Sequence, residues 1–178
     1  MFGTIYKSGC PRKQISLTVK YNRLPSKANL YYNRLPSKAN LSNRGIVIPA
    51  ANCALCGGPE ESEVHLFLEC TWVKEVWALI ETWCELDLSM ITNIEQLLGV
   101  AHSLLQSSTH KKVIHAVILS AIWSIWKARN EITFNNKTTS PSVVAEEIKH
   151  NSFFWVKNRG KMPQLRWDSW SIFPFTVN

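Results

Sequence analysis

Four residues constrain this chain more than any others: Cys53, Cys56, His65 and Cys70, spaced C-x2-C-x8-H-x4-C. Two thiolates in the first pair can hold one side of a tetrahedral ion. An imidazole and a third thiolate close the other side. Three sulfurs and one nitrogen form a closed structural zinc set, without the open position that a catalytic water needs. Gly57-Gly58-Pro59 follows the first pair, so the chain can turn back tightly around an ion. The bland alternative is a cluster of buried thiols with no metal.

The residues around this set predict mostly helix. Ile46-Val47-Ile48 is a short β-type run stopped by Pro49, and it suits a small hairpin holding Cys53 and Cys56 in its turn. From Val64 to Glu85 apolar residues recur at three and four. His65 and Cys70, five apart, do not share a face of an ideal helix. A break is therefore expected near Glu69-Cys70-Thr71, with Thr71 capping a second helix. Asn93 caps the next helix, expected to run to Gln106, whose apolar stripe is Ile94, Leu97, Leu98, Ala101, Leu104 and Leu105. Ser107-Ser108-Thr109 breaks it. His110 to Asn135 is apolar over most of its surface and belongs at the centre of its domain. Ser140 and Pro141 are the cap and first position of a last helix that runs to about Lys157. Trp167, Trp170, Phe173 and Phe175 form an aromatic tail, expected to drape over the helices. The fold expected is mainly α: a small CCHC zinc module, hairpin plus helix, packed on a bundle of about four helices.

Charge divides the chain further. Residues 1–59 carry nine Lys/Arg and no acid, residues 60–100 nine acids and one Lys, and residues 101–178 ten bases and four acids. A basic arm ahead of a zinc module suits a polyanion such as RNA or DNA; a solvated leader without a partner is the plain alternative. Tyr21 through Leu30 recurs as Tyr32 through Leu41, a single repetition and too few units for a solenoid. The organisation expected is a poorly ordered basic leader over 1–31, a zinc module over 32–90 and a helical region with its aromatic tail over 91–178.

Several segments together resemble one family. The run Glu61-Ser62-Glu63-Val64-His65-Leu66-Phe67-Leu68-Glu69-Cys70, followed by Val76-Trp77, is similar to the core of the zinc-binding domain that follows the polymerase in plant non-LTR (LINE-type) reverse transcriptases. Upstream, Arg34-Leu35-Pro36-Ser37-Lys38-Ala39-Asn40-Leu41 and Arg44-Gly45 resemble its lead-in. Downstream, Ile125-Trp126-Lys127-Ala128-Arg129-Asn130 and Phe134 resemble a further segment. The similarity covers Arg34 to Phe134 and, more weakly, the tail, which looks like the end of such a polyprotein. It implies Zn2+ at Cys53, Cys56, His65 and Cys70, and an accessory role in gripping template RNA or target DNA near a polymerase. Arg34, Lys38 and Arg44 are the cations expected to meet phosphate. The rivals are a helical interaction domain that zinc merely staples, and a non-functional relic of a mobile element.

Catalytic constellations are not apparent. The two aspartates, Asp87 and Asp168, are far apart in sequence and do not form the paired carboxylates of a two-metal site. Glu60, Glu61, Glu63 and Glu69 flank the metal set and are read as offsetting charge or capping helix starts. His102, His110, His115 and His150 lie on helical patterns, with solvent or packing roles expected. Arg129 beside Trp126 is read as a stem covering the ring with its head on backbone carbonyls, in preference to a nucleic-acid contact. Val113 to Trp126, the longest apolar run, is too short for a bilayer. Without a secretory signal, Cys10 and Cys84 are expected to be reduced thiols in a nuclear or cytoplasmic protein. Neither an enzyme, nor a small-molecule substrate, nor a membrane partner is expected.

Overall fold

The computed structural model describes residues 35–48, 50–103, 107–160 and 162–175. The leader, the first copy of the repeat, Cys10, Arg34, Leu104 and Leu105 lie outside the described residues.

The first helix, α1 (Lys38–Asn43), is short and is capped by Ser37. The Ser37 hydroxyl accepts the Asn40 N–H at 3.3 Å. Gly45, at φ 73°, ends it in the left-handed region, where glycine pays no Cβ penalty. The expected hairpin is present in reduced form. Asn52 and Glu60 make an antiparallel bridge, Cys53 N–H donates to the Pro59 carbonyl at 2.9 Å and Glu61 N–H to that of Ala51 at 3.0 Å. The run 46–48 does not form an extended strand.

The helix expected from Val64 does break, through a wider turn. His65–Glu69 is π-helical, and Cys70 N–H closes on the His65 carbonyl at 2.7 Å. Cys70 then leaves helical geometry (φ −57°, ψ 127°), and α2 (Thr71–Cys84) begins. The cap position is thus Cys70, one residue before the expected Thr71. Trp77 Nε1–H donates to the Phe67 carbonyl at 2.7 Å, so the break leaves that acceptor satisfied.

The other helices are α3 (Ile94–Ser103), α4 (Ser108–Asn135), α5 (Pro141–Arg159) and α6 (Trp167–Ile172). Asn93 Oδ1 accepts Gln96 N–H at 2.8 Å at the start of α3. Ser107 and Ser140 cap α4 and α5, and Pro141 stands at the first position. Asn136 (φ 52°) ends α4 in the left-handed conformation that asparagine tolerates.

Helix α4 packs between α3 and α5, and α2 lies against α5. One continuous core runs from Leu35, Cys53 and Phe67 through Ile114, Ile122 and Trp126 to Ile148 and Trp170. The metal module and the bundle are therefore parts of one apolar interior. The aromatic tail drapes as expected and adds the short helix α6. Trp170 is fully buried, its indole donates to the Lys149 carbonyl at 2.9 Å, and its own carbonyl accepts Trp83 Nε1–H at 3.0 Å. Among the described residues no helix is long and apolar enough to cross a membrane.

Candidate metal centre

Two elements deliver the four ligands. The turn of the reduced hairpin carries Cys53 and Cys56; the π turn carries His65 and ends at Cys70. In an α-helix, residues five apart point about 140° away from each other. The wider π turn and the break at Cys70 bring His65 and Cys70 to one side instead.

All four ligand atoms lie within 4.8 Å of one another. Cys53 and Cys70 Sγ are 3.9 Å apart, and Cys56 Sγ is 3.4 Å from His65 Nε2. With Zn–S near 2.3 Å and Zn–N near 2.0 Å, a tetrahedron has S···S edges of about 3.8 Å and S···N edges of about 3.5 Å. The Cys53–Cys70 and Cys56–His65 edges match it, and the remaining edges, all within 4.8 Å, need only a small contraction for the donor set to close on a zinc ion. Cys53, His65 and Cys70 are buried and Cys56 is half-buried. Such a site excludes solvent from three of its four ligands.

The surrounding backbone is fitted to sulfur. Gly57, at φ 69°, donates its N–H to the Cys53 carbonyl at 2.8 Å. Gly58 N–H donates to Cys56 Sγ at 3.4 Å, and a Cβ at Gly58 would stand 3.3 Å from that sulfur. Ser62 Oγ accepts His65 N–H at 3.0 Å and caps the turn. The hydrogen bond between Cys53 and Cys70 pulls the Cys53 thiol below its ordinary range and, with burial, pushes Cys70 up. A bound cation displaces the protons that remain on the thiols.

The acids beside the site do more than offset charge. Glu61 is fully buried and grips Arg129, itself 2% exposed, with Oε1 accepting Nη2–H at 2.6 Å and Nε–H at 3.0 Å. It also accepts Lys38 N–H at 3.2 Å, so it caps α1 from outside. Glu63 accepts Leu35 N–H at 3.0 Å and the Asn40 amide at 2.9 Å. Burial pushes the Glu63 carboxyl up to about 7, against those donors and the Arg44 charge. The Arg129 guanidinium lies 5.1 Å over the Trp126 ring, as expected, but its head meets Glu61 instead of backbone carbonyls. Sequence reasoning missed this partner. The available signal was a lone cation within the apolar face of α4, which requires a buried anion somewhere.

The three cations expected at phosphate separate. Arg34 lies outside the described residues. Lys38 donates its ammonium to the Asn52 carbonyl at 2.6 Å. Arg44 is exposed, just past the end of α1. His110 packs, as expected, 4.9 Å from Phe175, and the exposed His150 sets its Nδ1 2.8 Å from the Glu146 carbonyl one turn back. Cys84 is buried, and burial pushes its thiol up. An open groove beside α2 is lined by Leu68, Trp77, Leu88, Ile91 and Leu97. One of its acids, Glu81, accepts Leu88 N–H at 2.7 Å.

No curated protein and no solved structure matches the chain. Residues 2–77 match the family model described as zinc-binding in reverse transcriptase. The matched stretch contains all four ligands and ends at Trp77, the residue that satisfies the π turn, so the N-terminal part of the chain is similar to a reverse-transcriptase zinc-binding domain.

Proposed function

We propose that the chain is a zinc-binding, nucleic-acid-associated accessory module of a LINE-type reverse-transcriptase polyprotein, with no catalytic step of its own. The observation that carries this reading is the convergence of Cys53, Cys56, His65 and Cys70 within 4.8 Å, inside the stretch that matches the family model. A closed Cys3His set fixes structure and leaves no position for substrate. Zinc here would tie the hairpin turn to the start of α2. The basic leader and Arg44 would supply phosphate contacts.

A second reading is a zinc staple in a protein-interaction domain. It is favoured by the buried Glu61–Arg129 pair and by the Lys38–Asn52 contact, which turn charges inward. Salt dependence separates the two. The zinc-loaded chain should bind a labelled RNA or DNA oligonucleotide with an affinity that falls steeply with salt, and Arg44→Gln should lower the slope by about 0.7 on a single strand. A slope of zero would leave only the staple.

A further inference from the structure

We infer that the C-terminal half of α5, with the start of α6, is a platform for single-stranded nucleic acid. This rests on the nucleic-acid association proposed above but assigns it a surface distinct from the α1 cations. Two adjacent large aromatics stand in water there: Phe154 is 57% exposed and Trp155 39%. His150, one turn before Phe154, is exposed and stacks on Trp167 with centroids 4.0 Å apart and planes 29° apart. Phe153 meets both Phe154 and Trp167 edge-on, so the rings are contiguous. Trp155 and Arg159, four apart, share the neighbouring face of the helix.

Charge chooses the occupant. Residues 148–167 contain five Lys/Arg and no acid. Lys149 and Arg166 pair with Glu146 and Asp168 just outside that stretch. Lys157 donates to the Leu165 carbonyl at 3.1 Å and lies 5.3 Å over the Phe153 ring, and neither partner is an anion. Among the described residues neither Lys157 nor Arg159 has a carboxylate at ion-pair distance. Exposed aromatic side chains interleaved with cations suit unstacked bases joined by phosphates. A duplex, whose bases are already stacked, could use the cations but not the rings.

The test is fluorescence anisotropy on the zinc-loaded full chain, with a labelled oligouridylate and a duplex of equal length. The double variant Phe154→Ala/Trp155→Ala should weaken oligouridylate binding about tenfold or more and leave duplex binding within about twofold. Arg159→Gln should lower the slope of log affinity against log salt by about 0.7 on the single strand. Circular dichroism and zinc content should stay as in the wild type, since all three side chains are exposed. Unchanged oligouridylate binding by the double variant, with Arg44→Gln weakened, overturns the platform and leaves the proposed function standing. Absence of binding by the wild type overturns both. A change in sedimentation with unaltered affinity makes the surface a contact between copies of the chain, which also overturns the platform.

Discussion

At the residue scale, Glu63 is the side chain whose protonation bears most directly on stability. Its folded value of about 7 lies above the ordinary 4.5. Between those values the folded chain holds more protons than the unfolded one, so this group's contribution declines as pH rises and is fully unfavourable above pH 7. The cost is at most about 3 kcal/mol. Glu63→Gln keeps an oxygen for Leu35 N–H and the Asn40 amide, and it removes the charge. In zinc-saturated urea titrations, wild type and variant should be close at pH 5, and the variant should gain about 1–3 kcal/mol on the wild type by pH 8. Metal affinity itself rises with pH, but that trend is common to both proteins and cancels in the difference. An equal gap at the two pH values would contradict the assignment. Gly57 gives a second test at this scale. At φ 69° an alanine is strained, and Gly57→Ala should cost about 1–2 kcal/mol through backbone conformation alone.

At the scale of elements, one buried ion pair and the Trp77 indole are the contacts that bear on the metal module. Glu61 belongs to the hairpin arm and Arg129 to α4, and both are almost wholly out of water. Removing one partner leaves the other charge buried and unpaired, at about 3–5 kcal/mol. Arg129→Met and Glu61→Gln should each show that loss in thermal or urea unfolding, and the double variant should lose much less than the sum. Additive losses would mean that the pair does not hold the arm to the helix. Trp77→Phe removes the donor to the Phe67 carbonyl and should cost about 1–3 kcal/mol. If that indole supports the π turn, the same variant should also bind zinc less tightly, read by competition with a chromophoric chelator. Unchanged zinc affinity would separate the turn from the metal.

The difference between what was legible in the sequence and what was not follows from the range of each interaction. Caps act over three residues, so Asn93 and Ser140 could be read directly, whereas Ser107 was legible only as part of a break. Period and spacing marked the helices and the ligand set, because each is a regularity along the chain. The five-residue interval from His65 to Cys70 showed that an α-helix could not serve. It did not show that a π turn would, since the donor that meets the freed Phe67 carbonyl, Trp77, lies ten residues further on. Partners at long separation were not legible: Glu61 and Arg129 are 68 residues apart, and Trp83 and Trp170 are 87 apart. Nothing local distinguishes Glu61 from its exposed neighbour Glu60.

At the scale of the whole molecule, the metal set and the bundle share one core, so a change at the cluster should reach the far helices. Cys53, Phe67 and Cys70 are buried with the same group of side chains as Ile122, Ile148 and Trp170. Chelation should therefore lower the cooperative unfolding temperature of the whole chain, as well as loosening residues 50–70. Retention of an unchanged main transition after zinc removal would mean that the bundle stands alone. Three sulfurs and one imidazole should hold a single ion, and X-ray absorption at the zinc edge of the purified, zinc-loaded chain reads that shell itself. A first shell of three sulfurs at about 2.3 Å and one nitrogen at about 2.0 Å is expected, lost or rearranged in Cys70→Ser. A shell dominated by oxygen, or one unaltered by that substitution, would contradict it.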